Sequence, residues 1–213
     1  MRLSKQDRDL LIAMSIGDGH INSYGQLSIN HCEKQEDYLR YKANLLKKIL
    51  YSDVRRSKIY HKQCKKDIVQ FHLSSRRVKF LKVLRKVLYP NNKKTITRKL
   101  LNRVTEQGLA IWWMDDGNRN IQYRNGKIKY IMYRLYTCVT KELNRMILDW
   151  FKEKWDLNGY ICKHGNQFII CFGSSEGKKL SNIIRPYIID SMQYKINPVE
   201  NSGEISKCKI FPV

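Results

Sequence analysis

The chain has 213 residues, and its 41 Lys and Arg against 19 Asp and Glu give it a net charge of +22. This is far more charge than solubility requires, and it favours a polyanionic partner, most often a nucleic acid. No apolar run reaches the ~18 residues that a membrane span needs, so we expect no membrane partner. The six cysteines lack the spacings of zinc sites, and with no signal peptide they indicate a reduced, intracellular protein.

The first predicted element is a helix from Lys5 to Gly17, with Ser4 as its N-cap. Ala13 and Gly17 lie one helical turn apart, and this stripe of small side chains lets a second helix approach closely. Asp18 follows directly. A carboxylate therefore stands where the helix macrodipole is negative, which disfavours an anion by roughly 0.3–1 kcal/mol. A nearby cation is the simplest compensation.

Two hairpins and two helices are predicted in the rest of the first half. Period-two alternation indicates the strands, and helical spacing indicates the helices, the second of which has Val83 among its core positions. Lys94 follows that second helix. The predicted bounds are 21–22, 26–31, 55–61 and 68–73 for the strands, and 36–50 and 75–89 for the helices.

The same order begins again at the apolar run Leu109–Gly117, which contains Asp115 and Asp116. An Asn-Gly pair at 125–126 is a strong hairpin signal. Lys195 follows the last helix. The predicted bounds are 119–123, 128–138, 160–163 and 167–172 for the strands, and 140–155 and 175–188 for the helices.

Two acids and two lysines therefore recur in near register. Asp116 lies 98 positions after Asp18, and Lys195 lies 101 positions after Lys94. A period this long exceeds that of solenoid repeats and indicates a duplicated unit with a pseudo-two-fold axis. We predict an α+β fold in which each half has the order helix, hairpin, helix, hairpin, helix. The predicted domains are 1–98 and 99–213.

A two-fold arrangement would bring Asp18 and Asp116 together at the ends of two packed helices. Two close carboxylates need a counter-charge to stay ionised, and a hard divalent cation such as Mg²⁺ suits their oxygen ligands. Beside a phosphodiester backbone, such a metal polarises the phosphate and activates a water, which predicts phosphodiester hydrolysis. Lys94 and Lys195 are predicted to position that water and to neutralise charge in the transition state.

The hairpins provide candidate surfaces for sequence recognition in double-stranded DNA. Outward polar side chains on β-ribbons can enter the major groove, where the four base pairs differ in their hydrogen-bonding groups. The candidate base-reading residues are Gln26, Ser28, Asn30, Gln70, His72 and Gln167. Lys62, Lys65 and Lys66 form a basic turn that is predicted to contact phosphates.

The run Leu109–Gly117 closely resembles the signature helix of the LAGLIDADG homing endonucleases, and the segment ending in Asp18 resembles a divergent first copy. The similarity is to the single-chain, two-motif branch, and it extends from Leu10 to about Pro198. It implies a duplicated αββαββα repeat whose two antiparallel sheets form a saddle over DNA around two central helices. It also implies metal-dependent cleavage of both strands, leaving short 3′ overhangs.

The resemblance assigns particular roles to residues of this chain. It implies Asp18 and Asp116 as catalytic acids and metal ligands, and Lys94 and Lys195 as active-site lysines. Gly17 and Asp115 are candidate metal contacts through their backbones. Beyond that contact, Asp115 is expected to act locally at its helix end.

The two signature helices differ in ways that affect their packing. Ile111 and Asp115 stand in the second helix where the first has Ala13 and Gly17, so we expect the pair to pack asymmetrically. Trp112 and Trp113 are predicted to be core or interface aromatics. The five histidines are expected to be structural or to contact DNA.

The sequence therefore predicts a site-specific homing endonuclease that makes an Mg²⁺-dependent double-strand break in a long asymmetric DNA target, as in intron homing. The alternative is an RNA-binding intron maturase on the same scaffold, without cleavage activity and with intron RNA as its partner. A monomer is expected. It would act inside the cell with its host genome, in a mitochondrion or plastid, or in phage-infected or bacterial cytoplasm.

Overall fold

The computed structural model describes residues 2–61 and 65–197. The first half of the fold begins with a helix whose N-cap, Ser4, forms a capping box with Asp7. Its elements are α1 (Lys5–Ile16), β1 (His20–Ile21), β2 (Leu27–Cys32), α2 (Glu36–Leu46), β3 (Arg55–His61), β4 (Lys66–Ser74) and α3 (Lys79–Leu88).

The second half repeats this order after a short additional helix, α4 (Arg98–Leu101), which the sequence did not predict. Thr105 caps the helix that carries the second motif, and its side chain accepts a hydrogen bond from the Gly108 amide. The elements are α5 (Glu106–Asp116), β5 (Gly117–Arg124), β6 (Lys127–Leu135), α6 (Lys141–Trp155), β7 (Tyr160–His164), β8 (Gln167–Phe172) and α7 (Ser174–Ile184). A 3₁₀ helix at Asp190–Lys195 follows.

Each half contains one four-stranded antiparallel sheet, and the two sheets have the same topology. The strand order is β1-β2-β4-β3 in the first and β5-β6-β8-β7 in the second. Equivalent elements therefore occupy equivalent places, which confirms the predicted α+β fold with a duplicated unit. The boundary between residues 98 and 99 stays a prediction.

Helices α1 and α5 pack against each other and join the two halves of the fold. In α5 every residue from Gly108 to Met114 is buried, and in α1 burial extends from Asp9 to Ile16. A helix that is apolar on all sides is stable only when it is surrounded by protein. The two motif helices thus form the centre of the core, and the ends that carry the acids lie at one end of that core.

The contact between the central helices depends on small residues, as the Ala13–Gly17 stripe predicted. A Cβ built on Gly108 would lie 3.1 Å from the Cβ of Ala13, so the helices approach closely there. A Cβ on Gly17 would overlap the side chain of Asp115. The predicted asymmetric packing is therefore confirmed, because Asp115 fills the space beside Gly17.

Aromatic side chains form much of the core of the second half. Trp112 stacks against Phe151 with ring centroids 6.3 Å apart, and Phe151 meets Phe172 edge-on at 5.1 Å. Trp112 and Trp113 are both fully buried, which confirms their predicted core placement. The prediction for Val83 is wrong, since this side chain is 56% exposed on the outer face of α3.

Three helices are shorter than their sequence patterns predicted. Helix α2 ends at Leu46 and continues as a 3₁₀ turn, and α7 ends at Ile184 before Pro186. Helix α3 begins at Lys79 rather than at residue 75, because Val78 is extended. Among the residues that the structure describes, no helix has both the length and the apolar character that crossing a membrane requires.

Candidate active site at the ends of the central helices

The two candidate catalytic acids occupy equivalent junctions between a central helix and the edge strand of a sheet. Asp18 lies between the C-cap of α1 and strand β1, and Asp116 is the last residue of α5 and directly precedes β5. The Asp18 amide donates a hydrogen bond of 3.1 Å to Oδ2 of Asp115, the residue directly before Asp116. The structure therefore brings these two predicted residues into one site.

The two candidate lysines bind the carbonyl groups at the ends of the central helices. Lys94 Nζ donates a hydrogen bond of 2.6 Å to the Gly17 carbonyl oxygen. Lys195 Nζ donates to the carbonyl oxygens of Met114 and Asp115, the latter at 3.1 Å. These cations offset the negative end of each helix macrodipole. Lys94 and Lys195 therefore provide positive charge near the acids, as the sequence predicted.

Burial and mutual charge perturb the pKa of both acids and both lysines. Burial, together with the charges of Asp18 and Asp115, raises the pKa of Asp116 to about 8. Desolvation and Asp115 also raise the pKa of Asp18, although 40% of its side chain stays open to solvent. Burial lowers the pKa of Lys94 and brings that of Lys195 to about 8. Without a further cation, the site resists full ionisation of its acids.

Trp112 contributes to the site as well as to the core. Its Nε1 donates a hydrogen bond of 3.2 Å to Oδ2 of Asp116, one turn further along α5. Sequence reasoning assigned Trp112 only to the core or to an interface. The spacing of four residues between an indole donor and a carboxylate was the available signal for this second role.

Asp115 does not act locally, and that prediction is wrong. Its Oδ1 forms a 2.5 Å ion pair with Lys42 Nζ and lies 2.7 Å from the Tyr38 hydroxyl, both on α2 of the other half. Its Oδ2 accepts a 3.1 Å hydrogen bond from the Asp18 amide. Burial alone would raise the pKa of Asp115, but Lys42 and these hydrogen bonds hold it below its ordinary value.

His31 completes this buried polar group as a neutral side chain. Its Nδ1 lies 3.0 Å from Oε1 of Gln35, and its Nε2 lies 3.1 Å from Lys42 Nζ. These partners match a proton on Nδ1 and a lone pair on Nε2. Burial and the charge of Lys42 lower the pKa of His31 to about 3. The structural role expected for this histidine agrees with its placement.

The polar atoms near Asp18 differ in their availability to a metal. Ligand atoms of Asp18, His31 and Asp115 lie within 4.8 Å of one another. Both ring nitrogens of His31 and both carboxylate oxygens of Asp115 already have protein partners. The Asp18 carboxylate is the more open donor of the three. The carbonyl oxygens of Gly17 and Asp115 bind lysines, but each has a second lone pair, so their contact with a metal stays a prediction.

The candidate base-reading residues of the first sheet share its outward face. Asn30 on β2 is opposite His72 on β4, and Asn30 Oδ1 lies 2.7 Å from His72 Nδ1. Ser28 and Gln70 occupy the same face two residues away on their strands, but Gln70 is only 9% exposed and offers little surface to a base. Gln26 precedes β2, where its side chain accepts a hydrogen bond from Asn22.

The second sheet presents a comparable face that the sequence reasoning largely missed. Gln167 is exposed at the start of β8 and was the only residue predicted there. Arg134 on β6 is opposite Asn118 on β5 and shares its face. Asn120 and Gln122 follow Asn118 at period two, and this alternation was the signal that could have identified them.

The predicted basic turn lies between β3 and β4. Lys65 and Lys66 are both exposed there, and Lys65 has a positive φ of 48°. Lys62 lies outside the described residues. The part of the turn that the structure describes is therefore open to a polyanion.

The fold and the site agree with the family to which the sequence profile assigns this chain. The profile of the LAGLIDADG DNA endonuclease family matches residues 8–180, and the chain belongs to this family. Over 115 residues it is 30% identical to "Probable intron-encoded DNA endonuclease 3" of Mycosarcoma maydis, covering 51% of this chain and 80% of that protein. Over 107 residues it is 34% identical to "Probable intron-encoded endonuclease 1" of Wickerhamomyces canadensis, covering 50% of this chain and 46% of that protein.

Solved structures give the same assignment. The homing endonuclease I-WcaI bound to its DNA recognition sequence superposes with a TM-score of 0.81 at 25% sequence identity. The match covers 92% of this chain and 88% of that chain. The resemblance inferred from the two motifs is confirmed.

Proposed function

We propose that this chain is a site-specific, Mg²⁺-dependent DNA endonuclease that cuts both strands of a long asymmetric target, as in intron homing. One observation carries the proposal. Asp18 and Asp116 lie at equivalent ends of two packed helices, and a lysine binds the terminal carbonyl groups of each helix. A protein that only binds nucleic acid has no evident use for coupled carboxylates of raised pKa.

The donor set fits a hard divalent cation. Asp18 and Asp116 would hold it, since carboxylate oxygens are the ligands such ions prefer and the raised pKa of each acid calls for positive charge. A bound Mg²⁺ would supply Lewis-acid polarisation of the phosphodiester and a more acidic water. Lys94 and Lys195 hold the helix ends in place and add positive charge where an attacked phosphate gains negative charge.

The outward faces of the two sheets would bind DNA. The first face carries Ser28, Asn30 and His72, and the second carries Asn118 and Arg134. Because the two sets of side chains differ, the two halves of a bound target would differ in sequence. The net charge of +22 would hold the phosphate backbone.

The names and structures of relatives support this proposal. Two relatives bear the names of intron-encoded endonucleases, and a similar chain has been solved on its DNA recognition sequence. We propose that the chain acts as a monomer, because one chain contains both acids and both sheets. We also propose that it acts inside the cell, where its host genome lies.

The test is a cleavage selection on a pool of DNA duplexes that represent candidate intron-insertion sites. Purified protein is incubated with the pool in Mg²⁺ or in EDTA, and the cut ends are sequenced. We expect one long asymmetric site to be cut on both strands, in Mg²⁺ only. If no duplex is cut while an intron RNA binds tightly, the maturase alternative replaces the endonuclease.

A further inference from the structure

We propose that the buried Lys42–Asp115 ion pair, together with Tyr38, is a positioning device for the catalytic acid Asp18. It joins α2 of the first half to the end of α5 in the second half. It fixes the peptide that carries Asp18, through the hydrogen bond from the Asp18 amide to Asp115 Oδ2. The catalytic consequence rests on the proposed function, whereas the hydrogen bond itself does not.

The first support is that both oxygens of the Asp115 carboxylate have specific hydrogen-bonding partners. Oδ1 is held by Lys42 at 2.5 Å and by the Tyr38 hydroxyl at 2.7 Å. The Tyr38 hydroxyl also lies 3.0 Å from the Ile111 carbonyl oxygen, which orients it against α5. Oδ2 is left for the amide of Asp18. The carboxylate therefore connects Lys42 and Tyr38 on α2 with the amide of Asp18.

The second support is that a contribution to stability does not by itself explain this buried ion pair. The side chains of Lys42 and Asp115 are both 0% exposed. Two charges removed from water lose about as much in desolvation as they gain by attraction, so an apolar pair of similar volume is often as stable. A specific structural task accounts better for its presence at the active site.

The third support is the difference between the two halves. Gly17 stands at the position equivalent to Asp115 and has no side chain, so it offers Asp116 no reciprocal bond. Asp116 is held instead by Trp112 of its own helix. Loss of the network should therefore affect the Asp18 half of the site more than the Asp116 half. Under the proposed function, the pseudo-two-fold places one acid nearer to the scissile phosphate of each strand, so one DNA strand should be cut more slowly than the other.

A pair of double variants isolates the hydrogen bond from the charges. Lys42→Met with Asp115→Leu removes the ion pair and the acceptor for the Asp18 amide, and fills the space with apolar atoms. Lys42→Met with Asp115→Asn removes the ion pair but keeps an amide oxygen as acceptor. Asp9→Asn is the control for loss of a buried, paired carboxylate elsewhere, because Asp9 is 3% exposed and pairs with the more exposed Lys5 and Arg103 away from the site.

The first measurement needs no cleavage. Hydrogen exchange of the Asp18 amide, followed by NMR, should be slow in the wild type and in the Asn double variant. It should be at least about tenfold faster in the Leu double variant, because a lost hydrogen bond exposes the amide to exchange. A fast-exchanging Asp18 amide in the wild type, or equal exchange in both double variants, overturns the inference.

The second measurement follows both strands of a labelled target. We expect the Leu double variant to slow one strand about tenfold or more relative to the other, with target affinity in Ca²⁺ unchanged within about twofold. The ratio of strand rates should stay near that of the wild type in the Asn double variant and in Asp9→Asn. Equal slowing of both strands overturns the inference.

Two further outcomes are informative. If the Leu double variant does not fold, Tyr38→Phe replaces it, with a strand bias of about threefold expected, and no bias contradicts the inference. If the wild type cuts no DNA in Mg²⁺, the proposed function fails, while the exchange of the Asp18 amide still decides the positioning role.

Discussion

Gly17 and Asp115 occupy the same position in the two copies of the motif, and the side chain of Asp115 fills the space that Gly17 leaves open. A Cβ on Gly17 would overlap Oδ2 of Asp115. The two copies are therefore complementary at this point. An acid in one copy reaches partners in the other half because its counterpart is a glycine.

The first prediction follows from that contact. Gly17→Ala should destabilise the protein by about 1–3 kcal/mol, because the added methyl group must displace a buried, fully bonded carboxylate. Gly173→Ala is the control, since its Cβ would meet no atom within 4 Å and its φ of −67° is open to any residue. Urea unfolding of both variants measures the difference. A Gly17→Ala variant as stable as Gly173→Ala would contradict this packing.

The second prediction concerns the charges of the buried ion pair. Lys42→Met alone should cost about 3–5 kcal/mol, because it leaves Asp115 buried without its counter-charge. Adding Asp115→Leu should recover most of that loss, and a double-mutant cycle from urea unfolding measures the coupling.

An exposed pair gives the comparison for that cycle. Lys58 and Asp67 are 2.8 Å apart on the first sheet, with side chains 64% and 48% exposed. Lys58→Met should change stability by less than about 1 kcal/mol. Similar losses from Lys42→Met and Lys58→Met would show that burial of the Lys42 pair does not matter.

The third prediction is a pH dependence of stability in metal-free protein. The pKa of Asp116 is raised from 3.8 to about 8 on folding, so its contribution is fully favourable below pH 3.8 and is lost as the pH rises through 8. Asp116→Asn removes that titration. The variant should gain stability relative to the wild type between about pH 4 and pH 8.

Urea unfolding in EDTA across this range tests the sign. Lys195 has the opposite dependence, because its pKa is lowered to about 8 and its contribution is lost as the pH falls through that value. Lys195 titrates in both the wild type and Asp116→Asn, and its titration overlaps the upper end of this pH range. A stability difference that is flat between pH 4 and pH 8, or that shrinks, would contradict the raised pKa of Asp116.

The fourth prediction separates base reading from phosphate binding. Asn120→Ala on the outward face of β5 should cost about 1–3 kcal/mol of target binding and relax discrimination at one base pair. Lys66→Ala should weaken binding to all sequences alike and lower the salt dependence by about one phosphate contact. Binding titrations on the target and on single-base variants, at several salt concentrations, distinguish the two patterns. Identical behaviour of the two variants would contradict the assignment of the sheet face.

The fold and the principal acids could be predicted because they recur at regular intervals along the sequence. Asp18 with Asp116 and Lys94 with Lys195 recur at nearly the same interval, and the pairing of strands follows from alternation. These features can be recognised from the spacing of residues along the chain. The structure then places each pair at equivalent positions.

Lys42 could not be found in the same way. In a chain of net charge +22, a lysine on a helix carries no sign of burial. Its position four residues after Tyr38, on the buried side of α2, is a weak signal that becomes meaningful only when its partner is known. That partner, Asp115, lies 73 residues away and reaches α2 only because the central helices pack closely at Gly17.

The polar face of the second sheet was missed for a related reason. Asn118, Asn120 and Gln122 alternate as a strand requires, but β5 begins at Gly117, directly after the helical residue Asp116. With no loop between helix and strand, the alternation starts inside the motif and is easily read as its continuation.

The decisive measurement for the proposed site is strand cleavage by Asp18→Asn and Asp116→Asn on the selected target, with affinity measured in Ca²⁺. Each variant should lose at least about 10²-fold in Mg²⁺-dependent double-strand cleavage, because each removes a ligand charge from the metal. Each should bind the target within about twofold of the wild-type affinity, because neither acid lies on the outward sheet faces. A variant that still cuts both strands at the wild-type rate would contradict the assignment of these two carboxylates as the catalytic pair.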